Sequence, residues 1–280
     1  MKPDVVNFHI TNRCNYQCKH CFARFNQREL SLDEAKRVID SIEEYFKEAQ
    51  VKNSRINLAG GEPLIYPYID EIIDYISSKG IKVSMITNGS LLTEERVEKW
   101  EGKVETIGIS IDAKSKETNG KIGRCTKNGP LDLTRLKGVC DKIHKLGIKL
   151  KINTVISKVN LNEDLLSIYK ELKPDKIKYL CVHIIENKNS QMQSIVPSKE
   201  EFDKFVEINT YDNNCQVVIE NSGYMTNSYF MINPRGQVYM NDNGIEKLYG
   251  SCLEIPLTKI YDSVPLYENK FEERYKRKEN

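Results

Sequence analysis

Three cysteines crowd into one short stretch near the start of the chain, Cys14, Cys18 and Cys21, at the spacing CxxxCxxC. They follow directly on an apolar run, Val5-Val6-Asn7-Phe8-His9-Ile10. An odd number of thiols cannot pair off internally, and thiolates this close on a loop can grip several irons of one cluster. A structural zinc site would want a fourth Cys or His at a recognisable offset. His20, the neighbour of Cys21, is badly placed to chelate the same ion. Three ligands on a four-iron cluster leave one iron open to a substrate or cofactor. The bland alternative is a set of three buried structural thiols.

Size and charge narrow the setting. A chain of 280 residues can bury a large core in one α/β domain or split in two; one domain is expected. With 42 basic and 40 acidic side chains the net charge is +2, which gives no reason to expect nucleic acid or an anionic membrane as a partner. Any phosphate binding must then be local. No apolar run approaches the roughly 18 residues that span a bilayer. Met1-Lys2-Pro3-Asp4 reads as no signal peptide, so the expected compartment is reducing and cytoplasmic. The other cysteines, Cys125, Cys140, Cys181, Cys215 and Cys252, are scattered and form no second CxxC that would hold an auxiliary cluster.

Periodicity predicts a βα rhythm. Extended runs at 5–10, 55–59, 81–87, 104–112, 148–157 and 176–186 alternate with helical patterns at 32–49, 68–78, from 94 onward, 131–146 and 163–172. The first helix opens on the capping box Ser31-Leu32-Asp33-Glu34, and Gly80 and Gly147 stand where helices end. Parallel strands joined by crossover helices follow, closed or partly closed into a (βα)6 barrel. Beyond Glu186 the rhythm breaks: a second capping box at Ser198, an extended run at 217–220, and a hairpin of 229–232 with 238–240 through Pro234-Arg235-Gly236. The expected fold is therefore α/β, a partial parallel barrel over 1–190 with an α+β extension over 191–280 that closes the cavity as a lid. The basic tail Lys276-Arg277-Lys278 reads as a solvated terminus.

In such a sheet the carboxyl ends of the strands carry the binding face. The cysteine loop, Gly60 to Pro63, Asn88 in Thr87-Asn88-Gly89-Ser90, and Ser110 with Asp112 fall at such ends, although Asn88-Gly89 also reads as an ordinary turn. Lys149, Lys151 and Asn153 share one face of their run, while Leu150, Ile152 and Thr154 share the other. Lys176 and Lys178 repeat the pattern against Ile177 and Tyr179. Ammonium groups inside a barrel are costly, so they line a wet cavity or meet an anion such as a polyphosphate. The competing reading puts them in water at an open edge. His9 reads as a hydrogen-bonded core histidine.

The cysteine spacing together with Gly60-Gly61-Glu62-Pro63 after the second extended run resembles the radical S-adenosylmethionine (SAM) enzymes in order and distance. A narrower likeness rests on Val6-Asn7-Phe8-His9-Ile10-Thr11, Ile122-Gly123-Arg124, Lys151-Ile152-Asn153-Thr154-Val155-Ile156 with Asn160 and Glu163-Asp164, and Asn227-Ser228-Tyr229. In register from Val6 to about Asn241, these are similar to the viperin family, whose members turn a nucleoside triphosphate into its 3'-deoxy-3',4'-didehydro form, an antiviral chain terminator. The family's eukaryotic members carry an N-terminal membrane helix; the resemblance here is to the soluble prokaryotic members and implies an antiphage role.

The resemblance implies a 4Fe-4S cluster on Cys14, Cys18 and Cys21, and SAM held by Gly60, Gly61, Glu62, Pro63, Asn88, Ser110 and Arg124. It places Asn7, Arg55, Asn57, Lys151, Asn153, Lys176 and Lys178 around the nucleotide, with CTP or UTP favoured and GTP possible. Tyr229 and Lys178 become the candidate proton donors for loss of the 3'-hydroxyl, and an external flavodoxin- or ferredoxin-like protein supplies electrons. The chain departs from the family pattern at Arg55 for a lysine, at Ala59 for a serine, at His20 for an aromatic residue, and after Asn241. Two rivals stand beside this reading. A radical SAM peptide-modifying enzyme is suggested by Asn233-Pro234-Arg235-Gly236-Gln237-Val238-Tyr239, which resembles a hairpin that elsewhere carries auxiliary-cluster cysteines. A non-catalytic iron-sulfur sensor would need no SAM contacts.

Overall fold

The computed structural model describes residues 2–22, 28–211 and 213–275, so the basic tail at 276–278 lies outside the described residues. The expected alternation is present. Strand β1 (Val5–Thr11) leads through the cysteine loop to helix α1 (Leu32–Glu48), then β2 (Arg55–Gly60), α2 (Ile69–Ser78), β3 (Lys82–Thr87), α3 (Glu94–Lys99) and β4 (Val104–Ser110). Two helices, α4 (Lys116–Ile122) and α5 (Leu133–Lys145), precede β5 (Lys149–Ile156), and α6 (Leu166–Leu172) precedes β6 (Lys176–Cys181). The remainder is α7 (Glu186–Asn189), α8 (Lys199–Ile208), β7 (Gln216–Glu220), β8 (Met231–Ile232), β9 (Gln237–Asp242), β10 (Ile245–Ser251), α9 (Leu257–Tyr261) and α10 (Glu268–Tyr275).

All ten strands form one sheet in the order β10-β9-β8-β1-β2-β3-β4-β5-β6-β7. From β1 to β7 each strand pairs in parallel with the next, and β8 lies parallel to β1 on the other side. Only β9 runs against the others, antiparallel to both β8 and β10. The C-terminal residues thus add strands at both ends of the expected six. The sheet is a partial barrel whose ladder ends at β7 and β10.

Helices α1, α2, α5 and α6 bury one stripe each against the outer side of the strands. Ile39, Ile42, Ile72, Ile73 and Ile76 meet Phe8, Ile56, Leu58 and Met85 in one continuous apolar core. Both capping boxes exist: Ser31 and Ser198 accept from Glu34 N and Glu201 N, and each glutamate bonds back. Helix α4 escapes the sequence reading because Lys116-Glu117-Thr118-Asn119-Gly120-Lys121-Ile122 buries only Asn119 and Ile122. The helix expected at 163–172 starts three residues later, at Leu166, because Glu163 O and Leu165 N are taken up by the Asn209 side chain. The strand expected at 176–186 stops at Cys181, where the chain turns toward α7.

Asn209 is fully buried and ties α8 to the sheet: its Oδ1 accepts from Leu165 N at 2.6 Å, its Nδ2 donates to Glu163 O at 3.1 Å, and its carbonyl accepts from the Tyr179 hydroxyl at 2.6 Å. Replacing it with alanine orphans a buried N–H and a buried carbonyl, each expensive to leave unpaired. Asn209→Ala is expected to lower unfolding stability by about 2–3 kcal/mol, read as a shift in urea midpoint at unchanged slope.

Candidate active site

The cysteine loop is held by backbone, and glycines make that possible. Gly61 N donates to Thr11 O at 2.7 Å and Glu62 N to Arg13 O at 2.8 Å, so the turn after β2 is hydrogen-bonded to the start of the loop. On the far side Gln17 N donates to Gly123 O at 3.2 Å and Lys19 N to Ile122 O at 2.8 Å. A Cβ at Gly61 would stand 2.2 Å from Arg13 O, one at Gly60 2.4 Å from Thr11 O, and one at Gly123 2.2 Å from Gln17 O. No side chain fits at any of the three. Gly60 and Gly123 also have φ of +123° and +83°, where glycine alone is unstrained. Asn15 adds a side-chain tie, donating to Ser90 Oγ at 2.9 Å and accepting from Asn88 Nδ2 at 2.8 Å.

The three thiols form no disulfide, are half-buried, and line one cavity of about 1490 Å³ that runs along the inside of the strands. At one end stand the cysteines with His20, Gly60, Gly61, Asn88, Ser110 and Arg124; at the other, Arg55, Lys149 and Lys176 mark the first residues of β2, β5 and β6. Asn7, Asn57, Lys151, Asn153, Lys178 and Tyr229 line the stretch between. The lysine face therefore points inward, and Leu150, Ile152 and Thr154 pack under the helices.

Strand register layers these groups. Gly108, Lys151 and Lys176 lie side by side on β4, β5 and β6; Ser110, Asn153 and Lys178 lie two residues nearer the cysteine end. Across β1, β2 and β3, Ser84 Oγ donates to Asn57 Oδ1 at 3.0 Å and Asn57 Nδ2 to Asn7 Oδ1 at 2.9 Å. Neither the Lys151 nor the Lys176 ammonium has a hydrogen bond or an ion pair among the described residues. Burial, reinforced by Lys178 and Lys176, holds the Lys151 ammonium well below its usual value, and burial with Arg55 lowers Lys176 likewise. Arg55 reaches Glu105 at 3.2 Å, while its buried Nε lacks a partner. Asn153 Oδ1 is also buried without a partner.

Two buried carboxylates organise the cysteine end. Glu62, fully buried, does not line the cavity: it accepts from the Thr87 hydroxyl at 2.7 Å, Asn88 N at 2.7 Å and Leu64 N at 3.1 Å, locking the turns after β2 and β3 together. Pro63 opens the short 3-10 turn beside it. Asp112, equally buried, accepts from Val155 N at 2.8 Å and pairs with Arg124 Nε. Burial opposes the Arg124 charge, but Asp112, Cys18 and Tyr16 together outweigh it and the guanidinium is held protonated. Ser110 and Arg124 also border a smaller cavity of about 450 Å³.

A family model described as the radical SAM superfamily matches residues 8–172. The chain belongs to the radical SAM superfamily. Within it, the chain is 30% identical over 278 residues to an S-adenosylmethionine-dependent nucleotide dehydratase of Flammeovirga pacifica, covering 96% of this chain and 93% of that one. It is 31% identical to one of Selenomonas ruminantium, covering 96% and 98%. At this identity and coverage it stands with the viperin-like nucleotide dehydratases. The fold is shared with SuiB of Streptococcus suis, solved with its precursor peptide SuiA, at TM-score 0.70 and 16% identity over 99% of this chain and 68% of that one.

Radical SAM enzymes use a 4Fe-4S cluster and SAM, and the residues present fit both. Among the described residues no three His, Cys, Asp or Glu side chains close around a single ion; a cluster takes each thiol on a different iron, so its ligands stand apart. Burial pushes the Cys18 thiol up to about 12, a cost that iron reverses by taking the thiolate. For SAM, Arg124 lines the cavity while its Nε pairs with Asp112. The sequence reading misses Asp112 as the anchor of Arg124, Ser84, and Glu220. None belongs to a recognisable spacing; the fold brings Ser84 to the cavity and sets Asp112 and Glu220 behind residues that line it.

Two outcomes follow from this arrangement. Gly61→Ala drives a methyl into Arg13 O, so the variant is expected to fold yet retain several-fold less iron and sulfide after anaerobic reconstitution than the parent protein. His9, bonded through Nδ1 to the Tyr239 hydroxyl at 2.6 Å, is lowered to about 4 by burial and then by Lys188. The unfolded chain takes up this proton first, so stability present at pH 7 drains as pH falls through 6.5 toward about 4. That contribution is ~3 kcal/mol; denaturant midpoints from pH 7 to pH 4.5 should fall accordingly, and less steeply in His9→Gln.

Proposed function

We propose that this enzyme removes water from the ribose of a nucleoside triphosphate, giving the 3'-deoxy-3',4'-didehydro nucleotide, and that the product serves antiviral defence as a chain terminator. The observation that carries this reading is the set of cations in the cavity that holds the three thiols. Lys151 and Lys176 sit on adjacent strands without an anionic partner among the described residues, and a triphosphate supplies the charge that keeps both protonated. The names of the relatives, nucleotide dehydratases, support the same substrate class. A pyrimidine triphosphate, CTP or UTP, is the favoured substrate, with GTP as the alternative.

The cluster and SAM, when bound, supply an adenosyl radical that takes hydrogen from C4'. The chain's own residues orient and protect. Lys151, Lys176 and Arg55 receive the phosphates at the deeper end of the cavity. The Asn7-Asn57-Ser84 chain and the unpartnered Asn153 Oδ1 offer fixed polar groups to the sugar or base. Lys178 and Tyr229 stand as proton donors for the leaving 3'-hydroxyl. Electrons come from an external low-potential protein of the flavodoxin or ferredoxin kind, and the reaction runs in the cytoplasm; no helix among the described residues is long and apolar enough to cross a membrane.

Anaerobic incubation of reconstituted enzyme with SAM, dithionite and CTP, UTP, GTP or ATP in turn tests this by mass spectrometry. One triphosphate is expected to yield a product lighter by one water, with 5'-deoxyadenosine formed in step; deoxyadenosine that ignores every nucleotide would sink the substrate class. Lys151→Ala should raise KM for that nucleotide roughly 10- to 100-fold, the loss of one charge-assisted phosphate contact, with kcat changed far less.

A further inference from the structure

We infer that Glu220 is a positioning residue for loss of the 3'-hydroxyl, gripping Lys178 and Tyr229 as one unit at the ribose and keeping the Lys178 charge from the triphosphate. The inference rests on the nucleotide-dehydratase reading above. Glu220 ends β7 and is 2% exposed. Its carboxylate forms an ion pair with the Lys178 ammonium and accepts from the Tyr229 hydroxyl at 2.6 Å. Lys178 in turn donates to the Tyr229 oxygen and lies 5.0 Å from the centre of its ring. The three groups form a closed triangle, with Lys178 and Tyr229 in the cavity wall and Glu220 behind them.

Two features assign this triangle to the sugar. Lys178 shares its layer with Asn153 and Ser110, two residues nearer the cysteines than the Lys151–Lys176 layer, an offset of roughly 6.6 Å along the strand. That is the end where hydrogen abstraction takes place. Lys178 is also ion-paired inside the protein, whereas Glu220 acts on Lys151 and Lys176 only at a distance, so a polyanion finds its strongest attraction one layer deeper. A buried carboxylate at 2% exposure would be costly if it only cancelled a phosphate ligand's charge. As the acceptor for both donors, it instead fixes the tyrosine ring and the ammonium against each other.

In the step concerned, hydrogen has left C4' and the C3'–O bond breaks. The hydroxyl gains one proton from the Lys178–Tyr229 pair and departs as water, and one electron from the external low-potential donor completes the C3'–C4' double bond. The pair is reprotonated from solvent. Glu220 touches neither substrate nor departing oxygen; it sets where the proton is held.

The test is Glu220→Gln, which keeps an acceptor for Tyr229 but removes the charge. Dehydrated nucleotide is expected to form on the order of 100-fold more slowly, with KM for the triphosphate within about two-fold of the parent. The ratio of 5'-deoxyadenosine to dehydrated nucleotide should rise several-fold, because hydrogen abstraction continues while hydroxyl loss stalls. An unchanged ratio would overturn the assignment, as would a raised KM with the ratio unmoved, which marks a mere binding role. Should Glu220→Gln melt early, Tyr229→Phe decides: the same rise is expected, no larger in the double variant, and an unmoved ratio again overturns it. A parent enzyme whose deoxyadenosine ignores all nucleotides would instead overturn the substrate reading beneath.

Discussion

The site depends on a backbone clamp. Four main-chain hydrogen bonds fix the cysteine loop between the turn after β2 and the end of α4, and three glycines leave room for them. Without a Cβ at Gly60, Gly61 and Gly123 the backbones approach closely enough for the Thr11 and Arg13 carbonyls to accept from Gly61 N and Glu62 N, and for Gln17 N to donate to the Gly123 carbonyl. Side chains could not replace this. A loop carrying three half-buried thiols has little apolar surface of its own to bury, and the strand behind it already spends its outward face on the core. Rigidity must then come from main-chain bonds to elements that are themselves anchored, and Glu62 supplies that anchor by joining the turns after β2 and β3.

The interior charge is the second organising fact. A parallel sheet covered by helices normally reads as continuous apolar runs because both faces are buried. Here β5 and β6 alternate, with Lys151, Asn153, Lys176 and Lys178 facing inward. The fold accepts the desolvation because the cavity is wide and because Glu105 and Glu220 stand against part of the charge. The balance is uneven along the strands: Lys178 is matched, Lys151 and Lys176 are not. Under the proposed function, an uneven balance of this kind would orient the triphosphate lengthwise, phosphates toward the first residues of the strands and sugar toward the thiols.

Much of this is legible in the amino-acid sequence. The capping boxes at Ser31 and Ser198 and the period-two face of Lys149 to Asn153 are local signals, and local interactions decide them. The cysteine spacing and Gly60-Gly61 mark one end of the cavity for the same reason. Helix α4 is not legible, because a seven-residue helix set by Ser115 and Gly123 carries almost no apolar stripe. Strand β10 is hidden likewise: Leu248 is 55% exposed and Ile245 39%, so no alternation separates an inner face. Asp112 and Glu220 read as ordinary acidic residues, since what defines each is a partner brought near by register: Arg124 across a turn, Lys178 on the next strand.

The extension over 191–280 reads in the sequence as a lid, and how it meets the core bears on the chemistry. Strand β7 extends the sheet beyond β6, while β8 extends it beyond β1, so residues 216–220 and 231–232 lie at opposite margins of the eight-strand parallel run. No ladder joins those margins among the described residues. Side chains do: Tyr229, just ahead of β8, donates to Glu220 at the end of β7, and Lys178 bonds both. The contact that closes the barrel's open seam is thus the contact that places the candidate proton donors. Backbone pairing across the seam would fill the space a ribose needs, whereas a bridge of three polar side chains closes the wall and leaves its hydrogen-bonding groups at the cavity surface.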